Sequence, residues 1–275
     1  MFGVARCVCF IVAVGTPFDP GSGLRLALLA SVASSSKWPT TVNSDTDFFG
    51  GTLTVDAVVG QRMPDQSETL VSIPADGVEL PGELLIPEDA AGLVAFAHGS
   101  GSSRHSPRNT FVADVLRRHG VGTLLFDLLT EEEDREYETR FDIDLLTARL
   151  VAATEWIREY EETRDLNLGY FGSSTGAAAA LRAAARRGDD VAAVVSRGGR
   201  VDLASEQLPA VTAPTLFIVG GADTQVLELN RDALAELTCE RELEVVEGAG
   251  HLFEGSGELD EVAELAAEWF ESHLG

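Results

Sequence analysis

Short apolar runs without polar alternation constrain this chain most, and they recur at 93–97, 121–126, 191–195 and 215–219. A strand apolar at consecutive positions is buried on both faces, so it lies inside a sheet with helices in front and behind. Between the runs stand helical patterns over 109–119, 145–160, 227–237 and 259–273; the second carries Leu146, Leu150, Ala153 and Ile157 on one stripe. A further strand is expected at 243–246. Upstream, 70–73 and 78–86 alternate in part around the turn signal Asp76-Gly77, which predicts an antiparallel pair at a sheet edge. The reading is an α/β fold: a mostly parallel central sheet, right-handed crossovers, helices on both faces and no insertion long enough for a large cap.

One junction carries chemistry. Gly172-Ser173-Ser174-Thr175-Gly176 is a G-x-S-x-G pattern between a strand-like run at 166–171 and an alanine-rich helix beginning at Ala177. Strand, tight turn and helix are what a nucleophile elbow requires: the turn lifts Ser174 out of the sheet and the glycines remove colliding side chains. An ordinary Ser/Gly turn is the bland alternative, and Ser173 is the competing nucleophile one position earlier. A serine hydroxyl needs a base to take its proton and an acid to orient that base. Asp223 follows the strand at 215–219, and His251 follows the last strand through 247–250. Three groups at three strand ends, in the order Ser174, Asp223, His251, are far more specific than the pentapeptide. The plain alternatives are that Asp223 caps the helix beginning near Gln225 and that His251 is an ordinary loop histidine; His273 lies in the terminal helix.

Negative charge developing on a carbonyl oxygen needs backbone donors. The amide of Thr175 is one candidate. The second is expected in the loop His98-Gly99-Ser100-Gly101-Ser102-Ser103, at Ser100, with Gly101 as the alternative. His98 is read as a brace for that loop. No lysine follows it, so a phosphate cradle is not favoured. Arg197 and Arg200 flank Gly198-Gly199 after the strand at 191–195, where a guanidinium can clamp a carboxylate or phosphate. Arg104, beside the 98–101 loop, is a third possible substrate-binding arginine. Salt bridges to an acidic surface explain Arg197 and Arg200 at least as well, and polar structure at a helix N-terminus explains Arg104 equally well. The run from Glu131 to Asp134 reads as a solvated loop, and neither a metal nor an organic cofactor is implied.

Together the elbow, Gly221-Ala222-Asp223, Gly250-His251 and His98-Gly99-Ser100-Gly101 resemble the α/β-hydrolase superfamily, over about 70–275. The capless layout is similar to its dienelactone hydrolase-like family. The resemblance implies the fold and acyl chemistry on esters, lactones or thioesters. The family member that opens dienelactones uses cysteine, whereas this chain offers Ser174, so its lactone substrate does not transfer.

Composition narrows the partners. The chain has 20 basic and 45 acidic residues, a net of −25. Residues 1–62 hold four of each, so all the excess lies in 63–275, where lysine is absent. Nucleic acid and anionic membrane are poor partners for that surface; adaptation to a salt-rich cytoplasm is the expectation. Cys7, Cys9 and Cys239 form neither a disulfide framework nor a zinc site, which fits a reducing interior. The two apolar patches within 1–33 are too short to span a bilayer and make a poor secretory signal. The shift in charge near Met63 leads us to expect 1–62 as a disordered or mis-assigned extension, with 63–275 as one domain. The expected activity is a serine hydrolase acting on a small ester or lactone. Thioester cleavage or acyl transfer by the same triad, and a non-catalytic binding module, are the alternatives.

Overall fold

A computed structural model describes residues 68–275. The expectations placed on 1–62, and the boundary at Met63, lie outside them. Eight strands form one sheet: β1 (Thr69–Ala75), β2 (Val78–Leu85), β3 (Gly92–Ala97), β4 (Gly122–Phe126), β5 (Asn167–Ser173), β6 (Ala193–Arg197), β7 (Thr215–Gly220) and β8 (Arg241–Val246). Their order across the sheet is β1-β2-β4-β3-β5-β6-β7-β8. β1 pairs antiparallel with β2, and β2 with β4; every later pairing is parallel. The unbroken apolar runs account for this: β3, β4, β6 and β7 are buried at every residue.

Two hydrophobic layers sandwich the sheet. On one face α3 (Ile143–Glu159) contributes Leu146, Leu150, Ala153 and Ile157, beside Ala178–Leu181 of α4 (Thr175–Arg187). α5 (Thr224–Glu236) adds Ala233 to this layer. On the other face α1 (Pro107–Arg118) supplies Val112 and Leu116, and α6 (Glu258–Leu274) supplies Val262, Ala266 and Phe270. α1 starts with Ser106 as N-cap and Pro107 at its first turn, because proline's missing N–H is no loss there. Two residues past Arg118, Gly120 takes the left-handed conformation at φ 74°, and the chain turns into β4.

One expectation is corrected. The run from Glu131 to Asp134 is not a loop but α2 (Glu131–Arg135). Thr130 and Glu133 form a capping box, each side chain serving the other's backbone amide, at 3.2 Å and 2.9 Å. Glu133 also meets the nearly buried Arg149 of α3 at 2.9 Å, and Arg149 donates to the carbonyl of Ala75 at the end of β1. A run that looks like solvated charge therefore contains one carboxylate that ties three elements together. Between β6 and β7, short 3₁₀ turns at Val201–Ala204 and Leu208–Ala210 bury Val201, Ala204 and Leu208.

Among the described residues no helix is long and apolar enough to cross a membrane.

Candidate active site

The elbow stands between β5 and α4. Ser174 has φ 51° and ψ −120°, a conformation that a non-glycine residue holds at a cost of about 1–3 kcal/mol. Three backbone bonds fix it: its amide donates to Arg197 O at 3.2 Å, and its carbonyl accepts from Ala177 N at 3.1 Å and Arg200 N at 3.0 Å. Both glycines are demanded by space. A Cβ on Gly172 would lie 2.5 Å from Ala177 Cα, and one on Gly176 would lie 2.1 Å from Ala97 O. Ser173 is buried at 3 % exposure, whereas Ser174 is half-buried. The 98–101 loop passes directly over the serine; a Cβ on Gly99 would be 3.1 Å from Ser174 Cβ.

Asp223 and His251 meet from different strand ends. His251 Nδ1 donates to Asp223 Oδ2 at 2.7 Å, which leaves Nε2 as the ring's free lone pair. Asp223 occupies the N-cap position of α5, yet its carboxylate makes no capping bond, being spent on the imidazole instead. The ring lies against Gly198, where an added Cβ would be 3.5 Å from both Cε1 and Nδ1. Gly198 follows Arg197, which holds the Ser174 amide, so Asp223, His251 and Ser174 gather around the ends of β5 and β6. Among the described residues no hydrogen bond joins Ser174 Oγ to His251.

Around the serine, His98 braces its loop. Its Nε2 accepts from Leu128 N at 3.0 Å, and Nδ1 reaches Gly99 O at 3.0 Å. Burial pushes its pKa below 6.5, and with both ring nitrogens bonded to backbone groups neither is left free to act as a second base. The Thr175 amide, first in α4, has no partner among the described residues, as expected of a helix N-terminus. The Ser100 amide does have one: it donates to Thr175 Oγ1 at 2.9 Å. Gly101 sits at φ 67° in a turn closed by Ser102 N to Gly99 O at 3.2 Å.

The three arginines fare differently. Arg104 donates to Asp127 and reaches Glu83 at 3.2 Å. Arg200 grips Asp202 through two bonds of 2.9 and 2.8 Å. Arg197 is 9 % exposed, and its Nε and Nη1 find no acceptor among the described residues. Burial, with Arg108 as a like charge, lowers its pKa to about 10. A cavity of about 350 Å³ opens beside the 98–103 loop, lined by His98, Ser102, Arg104, Asp127, Leu129 and Asp134 among others.

Sequence reasoning missed Arg108. Its Nε donates to Leu252 O at 2.9 Å and its Nη2 meets Glu254 at 2.9 Å, so α1 clamps the segment that follows His251. In that segment Phe253 is buried with φ 53°. The contact spans 144 residues and leaves no local signal. Cys239 is partly buried near Thr215, and burial raises its thiol pKa.

An elbow at the end of a central parallel strand, with candidate base and acid at later strand ends, defines an α/β-hydrolase. Residues 110–274 match the dienelactone hydrolase family, and the chain belongs to that family. A dienelactone hydrolase from Anabaena variabilis is 53 % identical, with a TM-score of 0.75, over 76 % of this chain and 99 % of that one. The esterase Est1E of Butyrivibrio proteoclasticus shares the fold at 16 % identity, with a TM-score of 0.64 over 74 % of this chain and 98 % of its own. Proteins from two strains of Mycobacterium tuberculosis, provisionally named phosphoribosyl transferases, are 52 % identical over 220 residues. That match covers 80 % of this chain, which spans about half (49 %) of their length. The family model and the solved structure with 53 % identity both carry the name of a hydrolase.

Proposed function

We propose that this hydrolase cleaves a small carboxylic ester or lactone through an acyl-enzyme. The observation that carries the reading is the 2.7 Å bond between His251 Nδ1 and Asp223, set beside a strained Ser174. With Nδ1 bound to the carboxylate, Nε2 is the basic nitrogen. It takes the Ser174 proton as Oγ attacks the substrate carbonyl, and the carbonyl electron pair moves onto oxygen. Collapse of that adduct expels the alkoxide, which leaves with the proton from His251. Water then enters and His251 takes one of its protons as the hydroxide attacks the acyl carbon; collapse of this second adduct breaks the bond to Oγ, releases the acid, and returns the proton from His251 to Ser174. Asp223 holds the ring through Nδ1. The Thr175 amide, at the positive end of α4, stabilises the oxyanion.

Arg197 is the arginine best suited to hold an anionic part of a substrate, because Arg104 and Arg200 already have carboxylate partners. A buried guanidinium without a counter-charge is costly, and a bound carboxylate would offset that cost. The name of the mycobacterial relatives belongs to chains about twice the length of the matched part, so it does not carry over to this hydrolase. The carboxylate-rich, lysine-free composition of 63–275 fits a protein working in a salty cytoplasm.

A fluorophosphonate probe should label the protein, and Ser174→Ala should abolish both labelling and turnover of aryl esters. Persistent labelling in Ser174→Ala, with loss in Ser173→Ala, would move the nucleophile by one position.

A further inference from the structure

The loop amide expected to bind the oxyanion points at a neighbouring side chain instead. Ser100 N donates to Thr175 Oγ1 at 2.9 Å, across 75 residues of sequence. The loop has little freedom to turn that amide elsewhere. His98 fixes it from below through Leu128 N and Gly99 O, the 99–102 turn closes it, and Gly99 rests on Ser174. Thr175 is 2 % exposed, so water does not serve its hydroxyl freely. That hydroxyl accepts one bond, and no acceptor for its own hydrogen is found among the described residues. A buried hydroxyl hydrogen without an acceptor is a donor waiting for one. It lies between the 98–101 loop and the first turn of α4, beside the free Thr175 amide.

We propose that the Thr175 hydroxyl is an oxyanion donor in its own right, and that the Ser100 amide acts at one remove by polarising it. The oxyanion would then meet the N–H and the O–H of a single residue. Ser100 N–H, by donating to Oγ1, makes the hydroxyl a stronger donor through hydrogen-bond cooperativity. The inference rests on the serine-hydrolase reading. It goes beyond it by giving a catalytic role to a side chain whose backbone alone is expected to act.

The test is steady-state hydrolysis of an aryl acetate by wild type, Thr175→Val, Thr175→Ser and Ser174→Ala, with fold checked by thermal unfolding. Valine keeps the shape and the backbone amide while removing the hydroxyl. Thr175→Val should lower kcat by about 10²–10³-fold, the loss typical of one oxyanion donor, with KM within a few-fold. Thr175→Ser should recover most of it. A boronic acid, which forms a tetrahedral adduct on the serine, should bind Thr175→Val more weakly by a similar factor, while the carboxylate product binds unchanged. Equal or faster turnover in Thr175→Val would overturn the proposal, because the hydroxyl would then merely compete for the Ser100 amide. Equal losses in the valine and serine variants would also overturn it, by assigning the effect to the methyl group's packing. Undiminished turnover in Ser174→Ala would instead sink the serine-hydrolase reading itself.

Discussion

Replacing Gly176 by alanine should damage the protein through a single carbon atom. A Cβ there would stand 2.1 Å from Ala97 O and 2.5 Å from His98 O. Ordinary contact begins near 3.4 Å, so the shortfall to Ala97 O is 3.4 − 2.1 = 1.3 Å. Neither oxygen yields easily: β3 is held by parallel pairing to both β4 and β5, up to Ala97 opposite Gly172. α4 must therefore retreat, and it is packed by Ala177, Ala178, Ala179, Ala180 and Leu181, all at 0 % exposure. A radial gap of 0.5–1 Å already forfeits about a quarter to a half of each dispersion contact. Overpacking of this kind costs about 1–3 kcal/mol or more. Alanine's better helix propensity returns at most about 1 kcal/mol. The net expectation is a loss of about 2 kcal/mol, or roughly 4–8 °C in Tm for a domain of this size. Urea unfolding with an unchanged m-value measures it. Gly250→Ala is the control, since its Cβ would meet nothing within 4 Å and should stay within about 0.5 kcal/mol. Gly176→Ala as stable as wild type would refute the reasoning, by showing that β3 and α4 are not locked at this distance.

Asp223→Asn should lower kcat by about 10²–10⁴-fold with little change in Tm, since the amide can hold the ring in the wrong tautomer. Steady-state ester hydrolysis reads this out, and a loss under tenfold would leave Asp223 without the orienting role. His98, whose folded pKa is held below 6.5 by burial, should make stability pH-dependent. The unfolded chain takes up a proton near 6.5 and the folded one resists, so the contribution is complete above that pH and declines as pH falls below it. The stability gap between wild type and His98→Gln, from urea midpoints, should therefore shrink between pH 7.5 and 5; a constant gap would contradict a buried neutral ring. With a net charge of −25, the protein should gain Tm between 0.1 M and molar KCl as self-repulsion is screened. A flat or falling Tm would count against the salt adaptation.

Much of the architecture was legible because burial writes itself into local pattern. The runs at 93–97, 121–126 and 215–219 have no polar residue to turn outward beyond a threonine, so only a sheet covered on both faces suits them, and β3, β4 and β7 sit there. The edge hairpin was legible for the opposite reason: alternation around Asp76-Gly77 marks strands with one open face, and β1 and β2 pair in that register. Local pattern failed where charge hid structure. Glu133 reads like its acidic neighbours until Arg149, from a helix that starts ten residues later, closes on it.

At the site, the sequence by itself determined which groups are available: the elbow around Ser174, and the late strand ends that offer Asp223 and His251. Chain order and strand-end position carry that information because an open parallel sheet delivers all its carboxyl ends to one rim. Tertiary structure alone decided how each group is spent. It gave Asp223 to the imidazole rather than to the helix it precedes, paired Arg104 and Arg200 with carboxylates while leaving Nε and Nη1 of Arg197 without an acceptor among the described residues, and turned the Ser100 amide onto Thr175. Most of these are choices among partners tens of residues apart. Hydrogen bonds and ion pairs act over about 3 Å, so only the folded distances select among them.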